Sequence, residues 1–288
     1  LFEQIGLIAK RQHAGASYTL QSVINLLRRR RLPMLLADNS VEALPQHGLP
    51  VANIAQLGLR CDLVIIIGGD GTFLQAARQL AEYDVHLLGV NLGRLGFLTD
   101  IHPDDLDNGL DAILNGHFIR EQRFLLQARA YRSGQLLQQC NALNDVVIQK
   151  WNTPHMFCFS TSVDGHLLGT QRSDGLLIAT PTGSTAYCLS GGGPILHPSL
   201  NALAILSMFP HTLSNPPMVV NGDSEIEVFI CADQEMDAQL TCDAVLCQRL
   251  QAGDRLVVNK YHQVQLIHPQ DHDYFATLRN KLHWWREP

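Results

Sequence analysis

Leu63-Val64-Ile65-Ile66-Ile67 runs directly into Gly68-Gly69-Asp70-Gly71-Thr72, and this junction limits the fold of the chain more tightly than any other stretch. Five consecutive apolar residues, four of them β-branched, cannot alternate between a wet and a dry face. They predict a strand buried on both sides in a parallel sheet. Three glycines around one aspartate then end the strand, because glycine turns sharply and brings backbone close to a ligand without a Cβ in the way. Phe73, Leu74, Ala77 and Leu80 follow at helical spacing. The turn therefore presents backbone N–H groups at a helix start, where an anion such as phosphate is favoured. Asp70 is the odd residue, since a carboxylate beside phosphate needs a metal ion or a proton. The alternative is that Asp70 caps the helix.

A chain of 288 residues is expected to form two domains. Its net charge of −6 speaks against a protein built to hold nucleic acid or an anionic membrane, and leaves room for small anionic ligands bound locally. No apolar run approaches the roughly 18 residues of a membrane span. No basic-then-apolar signal segment is visible, and with Leu at position 1 the natural start is expected upstream. The seven cysteines are scattered and never spaced Cys-x-x-Cys. They are expected as buried thiols in a reducing, cytoplasmic compartment, with no metal site built by the protein.

Short apolar strands at residues 5–9, 32–37, 63–67 and 85–90 alternate with helical patterns, which predicts an open parallel α/β sheet of Rossmann-like type with ligands at the carboxyl ends of its strands. A first helix is expected from Ser17, capped by that residue, and ending in Arg28 to Arg31. Four cations there suit the helix dipole better than a nucleic-acid patch in an acidic chain. Residues 38–62 are weakly patterned and read as loops around Pro45 and Pro50, and residues 91–98 form a second glycine bend at a strand end. A helix is predicted over 103–115. After Arg120 the texture changes to short β segments at 124–130, 145–149, 156–163, 175–179, 225–230, 239–242 and 255–258, separated by turn-rich links. The expected organisation is an α/β domain over 1–120, a β-rich, sandwich-like domain over 121–267, and a tail over 268–288 that returns to the first domain. That tail holds a helix over 274–285, capped by Asp271 or Asp273, with Tyr274, Phe275, Leu278 and Leu282 on its apolar face. His268, Asp271 and His272 are expected to serve turns and caps.

Several common devices are missing. None of the four lysines follows a glycine as in a Walker loop, and neither Gly-x-Gly-x-x-Gly nor Gly-x-Ser-x-Gly occurs. The second dense stretch runs from Arg172-Ser173-Asp174-Gly175 through Thr180-Pro181-Thr182-Gly183-Ser184-Thr185-Ala186-Tyr187 to Pro194. It supplies hydroxyls for a ribose, backbone groups for a base edge and one ring, Tyr187, for stacking, the inventory of a nucleoside pocket.

Gly68-Gly69-Asp70-Gly71, Asn144-Asp145, and Arg172-Ser173-Asp174-Gly175 leading into Thr180 to Tyr187 together resemble the bacterial NAD kinases. Residues 91–100 and 266–282 extend the likeness over nearly the whole chain. The glycine motif alone is shared with diacylglycerol-type lipid kinases and resembles that of phosphofructokinases; the Thr/Gly/Ser stretch is the more specific. The resemblance implies transfer of the ATP γ-phosphoryl group, with Mg²⁺, to the adenosine 2′-hydroxyl of NAD, giving NADP, in a crevice between the two domains. It implies Asp70 as proton acceptor, with Gly71 in the same turn. Asn144 and Asp145 would grip the adenosine portion. Thr185, Ala186, Tyr187, Cys188, Leu189 and Ser190 would form the adenine and ribose loop. Asp174 would meet the nicotinamide side, and His155 and Arg172 would hold further parts of the dinucleotide, Arg172 across a subunit boundary of a homodimer or homotetramer. Two departures stand out: Asp145 replaces the usual glutamate, and Val245 replaces a glutamine in the turn Cys242-Asp243-Ala244-Val245, so no contact is carried over to Val245. A lipid or sugar kinase, and a module that senses NAD or NADP without turnover, remain as alternatives at this level.

Overall fold

The computed structural model describes residues 2–11, 13–93, 96–212, 215–232 and 238–284. The chain divides into two compact units, residues 1–122 with 264–288, and residues 123–263. Unit one contains β1 (Ile5–Ala9), α1 (Ala14–Arg29), β2 (Met34–Ala37), β3 (Val51–Ala52), α2 (Ile54–Arg60), β4 (Leu63–Ile67), α3 (Asp70–Leu80), β5 (His86–Val90) and α4 (Leu106–Leu114). Unit two is built from β6 (Phe118–Arg132), β7 (Gln135–Ala142), β8 (Asp145–Lys150), β9 (Phe157–Val163), β10 (His166–Ser173), β11 (Gly175–Ala179), the one-turn α5 (Tyr187–Ser190), β12 (Ala202–Met208), β13 (Met218–Asn221), β14 (Ile226–Ile230), β15 (Ala238–Cys242), β16 (Val245–Leu250) and the first part of β17 (Arg255–Pro269). α6 (Tyr274–Leu282) belongs to unit one.

In unit one the order β3-β2-β1-β4-β5, continued by the last residues of β17, is parallel throughout. Every residue of β1 and β4 is buried, as continuous apolar runs demand. Leu20, Ile24 and Leu27 of α1 and Leu110 and Ile113 of α4 join Leu7, Ile65 and Ile67 in one core. Fully burying each such side chain contributes about 1.5–3 kcal/mol. Strand order reverses between β1 and β4, and crevices for ligands open at that switch point, at the strands' carboxyl ends. Unit two is a sandwich. One layer runs β10-β9-β14-β17-β6-β7 and the other β13-β12-β11-β8-β15-β16, with Leu126, Ile148, Phe159, Ile178, Val228 and Leu240 in the shared core.

Local details depart from the sequence reading. α1 starts at Ala14, capped by His13, whose Nδ1 accepts the Gly15 N–H, and Ser17 lies inside the helix. Arg29 and Arg30 pair with Asp107 and Asp111 of α4, and Arg28 donates to the His47 carbonyl. This part of the basic cluster thus ties helices and loops together. Residues 54–60 form α2 through an Asn53–Gln56 capping box. β7, β10, β12, β13 and β16 were not expected. Most are edge or hairpin strands whose exposed positions blur the alternation, whereas the buried β12 carries an apolar run that the turn signals around it obscure. Asp273 caps α6 by accepting the Phe275 and Ala276 N–H groups. The helix buries Thr277 and Leu278 while Phe275 is 58% exposed, so the expected apolar face is rotated. Arg94, Leu95 and Trp285 of the expected bend and helix lie outside the described residues. Cys158 and Cys231 form a disulfide rather than two thiols. They are 73 residues apart and meet because β9 pairs β14, a contact that cysteine spacing cannot signal.

The tail is fastened by ionised groups. His268 is buried, with Nδ1 2.6 Å from Asp100 and Nε2 2.9 Å from Glu121, and His272 Nδ1 lies 2.9 Å from the other Asp100 oxygen. Asp271 takes no part in this cluster. Burial alone would lower the His268 pKa, but the two carboxylates override it and raise the pKa to about 9. Burial would likewise raise Asp100, yet both histidines hold it down at about 2. The raised His268 pKa means that its stabilisation is complete below the unfolded value near 6.5 and drains away as pH rises through 9. For Asp100 it is complete above 3.8 and lost as pH falls through 2. His268→Gln is therefore expected to cost about 2–3 kcal/mol at pH 6 and much less at pH 9.5. Melting curves of the two proteins across that range check this, and a gap that stays constant with pH refutes it.

Candidate functional site

At the switch point the chain leaves β4 through Gly68, whose N–H donates to the Val90 carbonyl at 2.9 Å, and enters α3. Gly69 occupies the helix N-cap position and Asp70 the first turn, so Asp70 is not the cap. Its carboxylate instead reaches residues 96–98. Oδ2 accepts the Phe97 N–H at 2.9 Å and Oδ1 accepts the Leu98 N–H at 3.1 Å. Gly96 makes that approach possible, because a Cβ there would collide with Asp70 Oδ1. The loop is fixed from its other sides as well. Asn91 donates to Thr99 Oγ1 at 2.7 Å, Asp100 is held by His268 and His272, and Lys281 of α6 lies over the Phe97 ring.

A cavity of about 520 Å³ opens beside this turn, lined by Ala9, Lys10, Arg11, Asn39, Gly69, Gly71, Thr72 and Gln75 among others. A Cβ on Gly69 or Gly71 would meet no protein atom within 4 Å. Packing thus places no demand on glycine at either position; what the missing side chains do is leave backbone open toward the cavity. Two cations, open amides at a helix start and a fixed carboxylate form a setting for phosphate chemistry.

Unit two gathers the other motifs. Asp243, at the tip of the β15–β16 hairpin, accepts N–H groups from Leu143 at 3.0 Å, Asn144 at 2.8 Å and Asp145 at 3.2 Å. Its own N–H donates to the Asp145 carbonyl. Asp243 and Ala244 both have positive φ, the conformation that a tight two-residue hairpin turn requires. On the opposite side Thr180 donates its N–H and hydroxyl to the carbonyls of Asn144 and Leu143. A Cβ on Gly183 would collide with the Asn144 carbonyl. The Asn144-Asp145 segment and the Thr180–Gly183 loop therefore interlock. Asp145 is buried, and burial, reinforced by the Asp243 charge, pushes its pKa up to about 7. At neutral pH this carboxyl holds a proton part of the time and can donate as well as accept.

Two family models match the chain, the ATP-NAD kinase N-terminal domain over residues 5–118 and the ATP-NAD kinase C-terminal domain over residues 143–268. The NAD kinase of Chromohalobacter salexigens is 46% identical over 98% of this chain and 97% of its own. That of Teredinibacter turnerae is 44% identical over the same shares. The chain belongs to the NAD kinase family. Among solved structures, yeast NADH kinase complexed with NADH superposes with a TM-score of 0.90 at 21% identity, covering 99% of this chain and 89% of that one. An NAD kinase from Archaeoglobus fulgidus in complex with ATP gives 0.75 at 21% identity, covering 97% and 98%. The family selects the NAD kinase among the three activities open to the sequence.

In this member of the NAD kinase family the hydroxyls of Thr180, Thr182 and Ser184 are not free for a ribose, contrary to the sequence expectation. Thr180 and Ser184 are fully buried and bond the loop itself, Ser184 Oγ donating to the Pro181 carbonyl at 2.6 Å and accepting the Leu196 N–H at 3.0 Å. Thr182 accepts from Arg123, and Thr185 donates to the Thr182 carbonyl. Tyr187 is 44% exposed, and Ser190 is exposed beside it on α5. Ala186 and Leu189 are partly buried. Cys188 is wholly buried against Val147, Leu177 and Leu206, and its carbonyl accepts the Gly193 N–H. Asp174 pairs with Lys150 at 2.8 Å, and the same ammonium donates to the Pro154 carbonyl next to His155. Asp174 and the exposed His155 are thereby brought to one region, while Arg172 is exposed on β10. The sequence reading missed Asp243 and the Phe97 and Leu98 amides. The Asp243 turn was visible as Cys242-Asp243-Ala244-Val245, whereas nothing local marks residues 97 and 98 as donors to Asp70.

Proposed function

We propose that this NAD kinase transfers the γ-phosphoryl group of ATP to the adenosine 2′-hydroxyl of NAD and that the Asp70 carboxylate accepts the proton of that hydroxyl. The observation that carries this reading is a carboxylate pinned through both oxygens by backbone amides beside a cationic, glycine-edged cavity. A base held this way is aimed before substrate arrives, and in phosphoryl transfer positioning and charge stabilisation supply most of the rate. Lys10, Arg11 and the amides around Gly69 and Gly71 would receive the triphosphate. Asn144, Asp145 and residues 185–190 would hold the adenosine of NAD, with His155, Arg172 and Asp174 toward the rest of the dinucleotide. Mg²⁺ would enter this cavity as an ion carried on ATP: among the described residues that line it, Asn39, Thr72, Gln75 and Gln79 offer neutral oxygens and none offers a carboxylate, Asp70 is the carboxylate of the adjoining turn, and the ion would offset charge on the phosphates. A cytoplasmic location and a homodimeric or homotetrameric form complete the reading, both supported by family likeness.

Incubating the protein with NAD, ATP and Mg²⁺ and reading NADP with an NADP-specific dehydrogenase tests it. Sustained formation of NADP is the expected result, and ligand-induced stabilisation without product overturns it. Tyr187→Ala is expected to weaken NAD binding about 2- to 12-fold, the equivalent of a stacking contact worth about 0.5–1.5 kcal/mol, with ATP binding little changed. Calorimetric titrations with each substrate check this, and equal losses for both would remove Tyr187 from the dinucleotide site.

A further inference from the structure

Three cysteines remote in sequence converge in unit two. Cys140 lies near the end of β7, Cys242 ends β15 and Cys247 lies on β16. Their three sulfurs lie within 4.8 Å of one another, and the Cys140 and Cys242 sulfurs are 2.8 Å apart. The hairpin register contributes to this. Thr241 pairs with Leu246 and Leu240 with Gln248, so Cys247 is the extra residue of a β-bulge, a device that re-aims a side chain. Cys242 is buried, while Cys140 and Cys247 are partly exposed at the rim of the sandwich core, which gives the cluster an opening to solvent.

Thiols are weak hydrogen-bonding groups, so three in contact gain little from one another. As thiolates they are soft ligands whose natural partner is a d¹⁰ metal ion. Around an ion about 2.3 Å from each sulfur, tetrahedral geometry sets sulfurs roughly 3.8 Å apart. The observed cluster brackets that spacing, with one pair shorter and all pairs below 4.8 Å. Two thiols would suffice for a disulfide; the third, re-aimed by a bulge, points to coordination. We propose that Cys140, Cys242 and Cys247 bind one thiophilic metal ion of the Zn²⁺ class. Binding exchanges three S–H bonds for three S–metal bonds and releases three protons to solvent, with a water completing the coordination. The ion would tie β7 to the hairpin that carries Asp243. This site stands independently of the role given to Asp70.

Sequence spacing argued against a metal site because Cys242 and Cys247 are joined by a hairpin and their third partner lies about a hundred residues upstream. The test uses the full chain, treated with mild reductant and chelator and then titrated with Cd²⁺ alone. One equivalent bound, a thiolate-to-cadmium charge-transfer band and a raised Tm are expected. Cys140→Ala and Cys247→Ala, both at partly exposed positions, should each lose the band, while Cys61→Ala, in unit one, keeps it. A wild-type protein that takes up no stoichiometric Cd²⁺ overturns the proposal. So does a band that survives in both variants, or a mass two hydrogens low that maps to a Cys140–Cys242 disulfide under the same reductant.

Discussion

Asp70→Asn is expected to lower turnover by roughly 10²–10⁴-fold while leaving NAD affinity nearly unchanged. Asparagine keeps the size of the side chain and removes the basic oxygen, which is the change that a proton acceptor cannot tolerate. Capping no longer competes as an explanation, since Gly69 holds the N-cap position and Asp70 turns toward Phe97 and Leu98. Two other roles do. If Asp70 only braces the loop, the amide NH₂ set against one of those backbone N–H groups would shift residues 96–98, and KM and Tm would move together with turnover. If it chiefly helps to hold Mg²⁺, raising Mg²⁺ would recover part of the rate. Since the Asn NH₂ faces one of those N–H groups in either case, the result specific to a base is a loss of kcat far larger than any change in KM and Tm, and insensitive to added Mg²⁺. Full activity in a correctly folded variant would remove Asp70 from the chemistry.

Asp243→Ala is expected to destabilise the protein by about 3 kcal/mol and to raise the KM for NAD more than that for ATP. Three backbone N–H groups, of Leu143, Asn144 and Asp145, lose their acceptor at once. A charged acceptor is worth more to each than a neutral one, and stranded donors cost most where water cannot replace it. For a chain of 288 residues the loss should lower Tm by roughly 5 °C. Asp243→Asn should fall between, because its single oxygen can still serve Asn144 and Asp145 through the Oδ1 position. Removing the Asp243 charge also takes away one of the two causes that raise Asp145, whose carboxyl should then titrate below about 7. Thermal melts, substrate titrations and carboxyl titration by NMR check the three parts. An alanine variant with unchanged melting and KM would mean that the Asn144-Asp145 segment needs no such anchor.

What the sequence made legible was whatever is encoded within a few residues. Residues 63–72 announced a buried parallel strand, a glycine turn and a helix because periodicity and glycine are local signals, and β4 and α3 follow them closely. The same holds for β11 and the loop after it. Polar or partly exposed strands such as β7 and β10 stayed hidden because only the neighbouring strand makes them strands. The site was legible as residue types but not as a network. Hydroxyls at 180 and 184 looked ready for a ribose, and tertiary contacts with Leu143, Pro181 and Leu196 consume them. The Asp243 clamp spans about a hundred residues, and the hold of His268 on Asp100 spans 168, so neither leaves a trace in spacing.

The most direct measurement follows the phosphate itself. The protein is incubated with NAD and ATP labelled at the γ position, in the presence of Mg²⁺, and the labelled products are separated and assigned by phosphorus NMR. The label is expected in a dinucleotide phosphomonoester on the adenosine 2′-oxygen, formed by the wild type and nearly absent with Asp70→Asn. Label released only as inorganic phosphate, carried on another hydroxyl, or transferred equally well by the Asn variant would contradict an NAD kinase that uses Asp70 as its base.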